Sequence, residues 1–236
     1  MPSLKNWDNQ TWLSSKEYIQ SFNNFVLKQL KLNKNSKILD IGCGRGKIIE
    51  NLSNKLKLIN KPVGLDIENY KDRSKKIIFK KSDAITYIYK TRVTFDLILI
   101  KQTIHLLQTT QIIKLLFVCK NKLNPGGKII ILSLDQDNNE IPTFSTMDKK
   151  LKKSFKRDKK IFNLIVKAFK NTIIKSFVFR VKISRKEYVK MIKKRYISTL
   201  LNFNEKQILD GINEINLKYK KELKFKDRLI CLILNK

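Results

Sequence analysis

The spacing of apolar residues changes along the chain and predicts where helices alternate with strands. Over residues 12–32 apolar side chains recur every three or four positions, and the same spacing returns over residues 47–56 and 110–122. One apolar stripe at this spacing is the pattern of an amphipathic helix. We therefore expect a helix in each of these segments.

Short, almost continuously apolar runs separate these helices, as expected for strands buried on both faces. They cover residues 37–41, 62–66, 77–79, 95–100 and 128–133. A turn at residues 123–127, which contains Pro125-Gly126-Gly127, precedes the last run. Strands that alternate with helices form a parallel sheet with helices on both sides. This part of the chain predicts an α/β fold.

The pattern changes after residue 134. A lysine-rich stretch leads into a strand, two helices and a closing strand, predicted at residues 142–172, 178–183, 185–201, 204–220 and 228–234. These strands bring the predicted total to seven. We expect one domain over residues 1–236, with N-terminal cap helices in 1–36, a core in 37–134, and a helical lid plus the last strands in 135–236.

Length, composition and cysteine spacing limit the class of protein. The 236 residues and an apolar content of 42% suit one α/β domain with a substantial core. Cys43, Cys119 and Cys231 form no CxxC pair, so we expect neither a disulfide framework nor a metal site. The N-terminus lacks the apolar stretch of a signal peptide, and no apolar run approaches the roughly 18 residues that cross a bilayer. We therefore expect a soluble, cytoplasmic protein without a transmembrane segment.

The net charge of +31 suggests a polyanionic partner. A compositional explanation stands beside it, because 43 of the 51 basic residues are lysine and only 8 are arginine. Lysine, isoleucine and asparagine share AT-rich codons, whereas nucleic-acid surfaces use arginine for bidentate and stacking contacts. Nucleic-acid binding is therefore an open alternative that the charge does not favour.

A glycine loop directly follows the first predicted strand. It reads Asp40-Ile41-Gly42-Cys43-Gly44-Arg45-Gly46, and Asp66 ends the next strand 22 residues after Gly44. Glycine allows a tight turn and a close approach of a ligand to the main chain. A carboxylate at this distance accepts hydrogen bonds from ribose hydroxyls. The segment predicts a nucleoside-bearing cofactor at the carboxyl edge of the sheet.

Two common glycine-loop cofactors do not fit the details. A dinucleotide fingerprint requires a third small residue where this chain has Lys47. A P-loop requires glycine at the position of Ile41 and serine or threonine at that of Ile48. Both classes are therefore excluded.

The remaining pattern resembles class I S-adenosylmethionine-dependent methyltransferases. Asp40-x-Gly42-x-Gly44-x-Gly46 resembles their first motif, Gly64-Leu65-Asp66-Ile67 their second, and Ser82-Asp83-Ala84 their adenine-contacting turn. Phe95-Asp96-Leu97-Ile98 and the turn at residues 123–127 resemble their fourth strand and the turn before the fifth. The match covers residues 37–134. It implies a Rossmann-like, doubly wound, mostly parallel seven-stranded sheet with helical additions at both ends.

The resemblance also assigns contacts with S-adenosyl-L-methionine. The loop backbone would hold the methionine end, Asp66 the ribose, and Ile67 and Asp83 the adenine, while the Lys101 backbone would border the methionine moiety. Asp40 would orient the loop. The complete set is Asp40, Gly42, Cys43, Gly44, Gly46, Asp66, Ile67, Asp83, Ala84 and Lys101.

The acceptor half of the site is less defined. Methyl transfer mainly requires alignment of the acceptor, and an amine or hydroxyl acceptor also requires a base. His105, the single histidine, follows the fourth strand and either serves as base or pocket lining or packs at a helix start. The acceptor-contact candidates are Trp12, Tyr18, Gln102, His105 and Arg195. The tryptophan and tyrosine, which lie near Trp7, equally suit helix packing, and the arginine equally suits a solvated charge run.

The C-terminal third is similar in pattern to trans-aconitate methyltransferase-like proteins of the type 11 group. This similarity implies a lid over a small acceptor, with an anionic compound as one candidate class. An RNA or tRNA methyltransferase is the alternative. Against it, Ile100-Lys101-Gln102-Thr103 replaces the Asn/Asp-Pro-Pro-aromatic motif that holds a flipped base. A non-catalytic or membrane-surface protein is the third possibility.

Overall fold

The computed structural model describes residues 11–236. Trp7 and the first ten residues of the expected N-terminal cap lie outside the described residues. The strands are β1 (Ile38–Ile41), β2 (Val63–Asp66), β3 (Ile78–Lys81), β4 (Phe95–Lys101), β5 (Leu123–Leu134), β6 (Ile173–Ser184) and β7 (Glu222–Asn235). The helices are α1 (Lys16–Leu27), α2 (Lys47–Leu56), α3 (Ala84–Lys90), α4 (Thr109–Asn121), α5 (Ser145–Ala168), α6 (Arg185–Lys193) and α7 (Glu205–Lys218).

The strands form one seven-stranded sheet in the order β3-β2-β1-β4-β5-β7-β6. The first five strands along the chain pair in parallel, with β1 between β2 and β4. Asp40 on β1 lies opposite Gly64 on one side and Leu99 on the other. Because parallel strands end at the same edge, this register brings the segments after β1, β2 and β4 together. The seven-stranded, Rossmann-like prediction is confirmed.

The chain divides into two compact units. The first unit combines the described part of Met1–Tyr18 with Leu134–Lys160 and Val178–Arg228. The second unit combines Ile19–Ser133, Ile161–Phe177 and Leu229–Lys236. The expected single domain with a lid stays a prediction.

The second unit contains the core of the parallel sheet. Helix α4 buries Ile112, Leu115, Leu116 and Cys119, whose spacing places them on one helical face. They join buried strand residues such as Ile98 in one apolar cluster. Each fully buried aliphatic side chain contributes roughly 1.5–3 kcal/mol, so this cluster dominates the stability of the sheet.

Several element boundaries differ from the predicted ones. The helix expected over residues 12–32 consists of a 3-10 turn at Trp12–Ser14 followed by α1, which ends at Leu27. The turn expected at residues 123–127 belongs to β5, where a register shift against β4 and the positive φ of Gly126 absorb the irregularity.

The helix expected over residues 185–201 also differs from the observed one. It ends as α6 at Lys193, and a 3-10 turn follows at Ser198–Leu200. The break lies beside Arg195, whose φ of 52° is incompatible with continuing the helix. Within residues 11–236, no helix combines the length and apolarity that a membrane span requires.

Candidate cofactor site

The glycine loop joins β1 to α2 in three left-handed steps. Gly42, Gly44 and Gly46 have φ values of 75°, 53° and 71°, a region that costs other residues steric strain. The amides of Gly42 and Cys43 donate to the Leu65 carbonyl at 2.8 and 2.9 Å. These bonds tie the loop to β2. The left-handed φ values explain why glycine occurs at these positions.

Gly42 has a second constraint, which comes from the segment after β4. A Cβ atom at this position would lie 2.0 Å from Oγ1 of Thr103, a sub-contact distance. The Thr103 hydroxyl itself donates to the Lys101 carbonyl at 3.0 Å. Because Gly42 has no side chain, the loop after β1 packs directly against Thr103 in the loop after β4.

Asp66 lies at the end of β2 and holds the glycine loop from the other side. Its Oδ2 accepts from the Gly44 amide at 2.8 Å, and its Oδ1 accepts from the Glu68 amide at 2.9 Å. Burial raises the pKa of this carboxyl group above its usual value, and the backbone donors oppose that rise. The carboxylate keeps acceptor capacity beyond these backbone donors, which suits a hydroxyl-bearing ligand.

Asp40 is the buried acid of the site. Its side chain has a relative exposure of 3%, and burial raises its pKa to about 7, while the charge of Lys101 opposes the rise and that of Asp66 adds to it. Asp40 and Lys101 lie on the same sheet face, because Asp40 is in register with Leu99. The Lys101 ammonium lies 5.6 Å from the centre of the Phe22 ring on α1.

An arginine contact fixes the outer side of the loop. Arg45 is buried, donates to Oδ2 of Asp72 at 2.7 Å and lies 4.7 Å over the Tyr70 ring. The guanidinium lowers the pKa of Asp72. This contact was not predicted from the sequence. The sequence shows only an arginine inside the glycine loop, and the aspartate that Arg45 contacts lies 27 residues further along the chain.

The predicted adenine contacts lie at the ends of β2 and β3. Ile67, directly after Asp66, is 61% exposed, so its side chain presents an accessible apolar surface. Asp83 caps the start of α3, and its side chain accepts from the backbone amide of Thr86 at 2.9 Å. Hydrogen bonding with Thr86 lowers the pKa of this carboxyl group. Ala84 is half-buried behind it. The capping role of Asp83 explains its position without any ligand.

The segment after β4 carries the candidates for the acceptor side. Gln102 has a left-handed φ of 54°, and its backbone amide donates to the Leu132 carbonyl at 2.8 Å. His105 lies in the following 3-10 turn, Ile104–Leu106, and is half-buried. The structure thus brings Gln102 and His105 to the edge that holds the glycine loop, within the second unit.

The other three acceptor-contact candidates belong to the first unit, and each has intramolecular contacts there. Trp12 donates from Nε1 to Oδ2 of Asp227 at 2.9 Å. Tyr18 is fully buried with its ring against Phe179, and burial together with Asp227 raises its pKa. These contacts show packing roles for both aromatic residues, while their predicted contact with an acceptor stays a prediction.

Arg195 follows α6 and contacts the start of α7. Its guanidinium donates to Glu205 at 2.7 Å and to the Phe203 carbonyl at 3.2 Å. This arrangement stabilises the turn between the two helices. The anion-clamping role predicted from the sequence stays a prediction.

The family assignment comes from the sequence of the second unit. A family model described as a methyltransferase domain matches residues 38–127, which include the glycine loop, Asp66 and Asp83. Residues 38–127 therefore form a methyltransferase domain, consistent with the predicted class I, S-adenosylmethionine-dependent type. The expected cofactor is therefore S-adenosylmethionine. No curated protein matches the chain in sequence.

Solved structures support the same fold for the methyltransferase. A methyltransferase described as putative, from an antibiotic biosynthesis pathway of Anabaena variabilis, aligns with a TM-score of 0.65 and 16% identity over 89% of this chain and 95% of its own. A SAM-dependent methyltransferase from Archaeoglobus fulgidus aligns with a TM-score of 0.55 and 20% identity over 94% and 95% of the two chains.

A third structure shows this fold with a product of the cofactor. The plantazolicin methyltransferase BpumL, in complex with SAH and a pentazolic desmethylPZN analog, aligns with a TM-score of 0.51 and 16% identity over 92% of this chain and 82% of its own. At this identity the likeness concerns the fold alone.

The residues of the methyltransferase domain fit S-adenosylmethionine. The methionine end of the cofactor carries an ammonium, a sulfonium and a carboxylate group, and the site has a buried carboxyl group at Asp40 and an ammonium group at Lys101. The ribose offers two hydroxyls, for which Asp66 has acceptor positions. Adenine is apolar on its faces, and Ile67 offers an exposed apolar side chain.

Proposed function

We propose that this methyltransferase transfers a methyl group to a small-molecule acceptor, for which an anionic compound is one candidate class. The observation that carries the proposal is the chain segment after β4. There a left-handed turn at Gln102 leads to Thr103, packed on the glycine loop, and then to His105. This segment places polar side chains at the cofactor edge and lacks the proline pair with which base-methylating enzymes hold a flipped nucleotide.

The cofactor contacts follow the geometry of the loop. When bound, S-adenosylmethionine supplies a methyl group that its sulfonium has already activated. Backbone groups of Gly42, Cys43, Gly44 and Gly46 bind its methionine end, Asp66 accepts from the ribose, and Ile67 packs on the adenine. Asp83 and Ala84 border the adenine from α3. Asp40 orients the loop, and the backbone at Lys101 borders the methionine moiety.

His105 has a defined task if the acceptor is an amine or a hydroxyl. One of its ring nitrogens takes the proton that the acceptor loses, and Gln102 orients the acceptor by hydrogen bonding. A carboxylate acceptor needs no base, since it is already deprotonated, and then a cation such as Arg195 aligns it. The pH dependence of the rate distinguishes these cases.

The similar structures add circumstantial support for a small acceptor. One comes from an antibiotic biosynthesis pathway, and another was crystallised with a desmethylPZN analog. Both align over most of this chain. The trans-aconitate methyltransferase-like subtype, with helices from both ends of the chain forming a lid, is the specific form of the proposal.

The test combines ligand binding with acceptor screening. Calorimetry should show binding of S-adenosylhomocysteine, and transfer of a labelled methyl group should be detected with members of a panel of small carboxylates, amines and phenols. His105→Gln should abolish turnover of an amine or hydroxyl acceptor but leave cofactor affinity within about twofold. Exposed Lys80→Gln serves as the matched control. Transfer of the label to RNA, with no label in any member of the small-molecule panel, would refute the proposal.

An RNA or tRNA acceptor is the second candidate, and the lysine-rich segment at residues 149–160 favours it. It predicts methyl incorporation into total RNA with a steep salt dependence. A non-catalytic or membrane-surface protein is the third candidate. It predicts that calorimetry detects no binding of S-adenosylmethionine.

A further inference from the structure

Basic residues concentrate in one segment of the longest described helix. Residues 149–160 of α5 contain 8 Lys or Arg among 12 residues, against 51 among the 236 of the chain. Codon composition raises lysine throughout a sequence and does not concentrate it threefold in one helix. The segment therefore requires an explanation that is specific to its position.

Some of these cations already have partners in the fold. Lys152 pairs with Asp148 at 2.7 Å, and Lys159 pairs with Asp137 at 2.9 Å. Lys150 lies 4.7 Å over a phenylalanine ring. These three side chains lie on the two flanks of the helix.

Four lysines differ from these in both partner and position. They are exposed, and none has an ion-pair partner among residues 11–236: Lys149, Lys153, Lys156 and Lys160. Their spacing of four, three and four residues places them within about 60° of the helix circumference, since each residue turns the helix by about 100°. We call these four residues the lysine stripe. It extends for about 16 Å along the helix axis.

The lysine stripe points directly away from the fold. On α5, the side chains of Leu151, Phe155, Asp158 and Ile161 are buried, and they lie on the helix face opposite the stripe. The buried face anchors the helix, so the four ammonium groups are presented on a rigid support. Rigid presentation reduces the ordering cost of binding.

We propose that the lysine stripe binds the phosphate backbone of a nucleic acid. A linear row of point charges matches a linear polyanion, and lysine contacts phosphate without reading bases. An anionic membrane fits less well, because an interfacial helix inserts apolar side chains and those of this segment are buried. The binding is sequence-independent and common to RNA and DNA. It concerns a surface and does not depend on the proposed methyl transfer.

The test compares two variants of equal charge. One carries glutamine at all four positions of the lysine stripe, and the control carries glutamine at four other exposed lysines, Lys31, Lys75, Lys90 and Lys206. Fluorescence anisotropy with labelled 20-nucleotide single strands of RNA and DNA is measured between about 50 and 300 mM salt. No cofactor is present, so the result is separate from that of the methyltransferase assay.

The wild-type protein should bind both strands. Loss of four phosphate contacts should lower the slope of log affinity against log salt by about 3, since each contact contributes about 0.7 for a single strand. The control should lower it by less than 1. A Lys153→Gln/Lys156→Gln variant should show about half the full effect. Thermal unfolding should be unchanged for all variants.

Three results would overturn the proposal. Equal losses in the stripe and control variants would show that the overall charge, and not the stripe, attracts the nucleic acid. Undiminished binding by the stripe variant would exclude the surface. Dependence of phosphatidylserine-vesicle binding on the stripe, with nucleic-acid binding unaffected, would assign it to a membrane.

Discussion

The Gly44 amide donates a hydrogen bond to Oδ2 of Asp66 over 2.8 Å. This bond joins the glycine loop after β1 to the end of β2, so the groups proposed to hold the methionine end and the ribose form one preorganised unit. A ligand that uses both groups need not order them on binding.

Replacement of Asp66 should weaken cofactor binding strongly. Asp66→Asn removes the charge that accepts from the ribose and turns one acceptor into a donor that faces the Gly44 amide. Hydrogen bonds to charged groups contribute about 1.5–3 kcal/mol, so we expect affinity for S-adenosylhomocysteine to fall about 10- to 100-fold in calorimetry.

Asp96→Asn is the matched control for this prediction. Asp96 also accepts a backbone amide, that of Lys37 at 2.7 Å, but it lies near the start of β4, at the opposite edge of the sheet. This variant should lose stability and keep the wild-type affinity. Equal losses of affinity in the two variants would contradict the assignment of Asp66.

The buried Asp40 should make stability depend on pH. Its pKa is raised to about 7, so between about pH 4 and 7 the folded state holds a proton that the unfolded state releases. Stability should therefore be greatest at the acidic end of this window and fall as pH rises through it. Over this window the free energy of unfolding of Asp40→Asn should decrease by about 2–4 kcal/mol less than that of the wild type. The reason is that a tenfold difference in proton affinity corresponds to about 1.4 kcal/mol.

Urea denaturation of both proteins at pH 5 and pH 7.5 measures the effect of Asp40. The difference between the two curves is the relevant quantity, because burial also raises the pKa of Asp66 and Asp158. Those contributions are present in wild type and variant alike. Parallel pH profiles for the two proteins would show that Asp40 is ionised throughout the window.

Gly42→Ala should be more damaging than an ordinary glycine substitution. The new Cβ would meet the Thr103 side chain at 2.0 Å in addition to the strain of a φ of 75°. Gly126→Ala isolates the backbone cost, because Gly126 has a φ of 76° and no atom within 4 Å of its added Cβ. We expect about 1 kcal/mol for the control and at least about 3 kcal/mol for Gly42→Ala.

The packing of Gly42 on Thr103 can be tested by a second substitution. In the background of Gly42→Ala, Thr103→Gly removes the atoms that clash and should restore part of the lost stability. A double-mutant cycle from chemical denaturation measures this coupling. Additive costs would show that the two loops are not in contact.

Trp12→Phe should destabilise the first unit. It removes the indole donor to the buried carboxyl group of Asp227, and losing a partner of a buried acceptor costs about 1–3 kcal/mol. Tyr196 belongs to the same aromatic cluster, and its hydroxyl lies 2.9 Å from the hydroxyl of Tyr188. Tyr196→Phe removes this hydrogen bond and should lower the free energy of unfolding by only about 0.5–1.5 kcal/mol. Urea denaturation compares the two, and a larger cost for Tyr196→Phe would reverse this ranking of the contacts.

Local patterns predicted much of the second unit. The bounds predicted for α2 are those observed, because its apolar spacing and the preceding glycine are both local signals. The position of Asp66 at the end of β2 followed from the short apolar run that it closes. In contrast, α6 ends earlier than its apolar pattern suggested, since the left-handed Arg195 is stabilised by Glu205 ten residues further on.

The sequence by itself determined the order of strands and helices, the glycine loop and the acid spaced for a nucleoside. These features depend on backbone conformation and on periodicity, which a linear pattern records. Only the tertiary structure decided which side chains meet: Arg45 with Asp72, Thr103 over Gly42, and Trp12 with Asp227 across 215 residues. Such contacts depend on register and burial, which neighbouring residues do not encode. The same distinction applies to the charge, since folding pairs some lysines of α5 and leaves four aligned on its outer face.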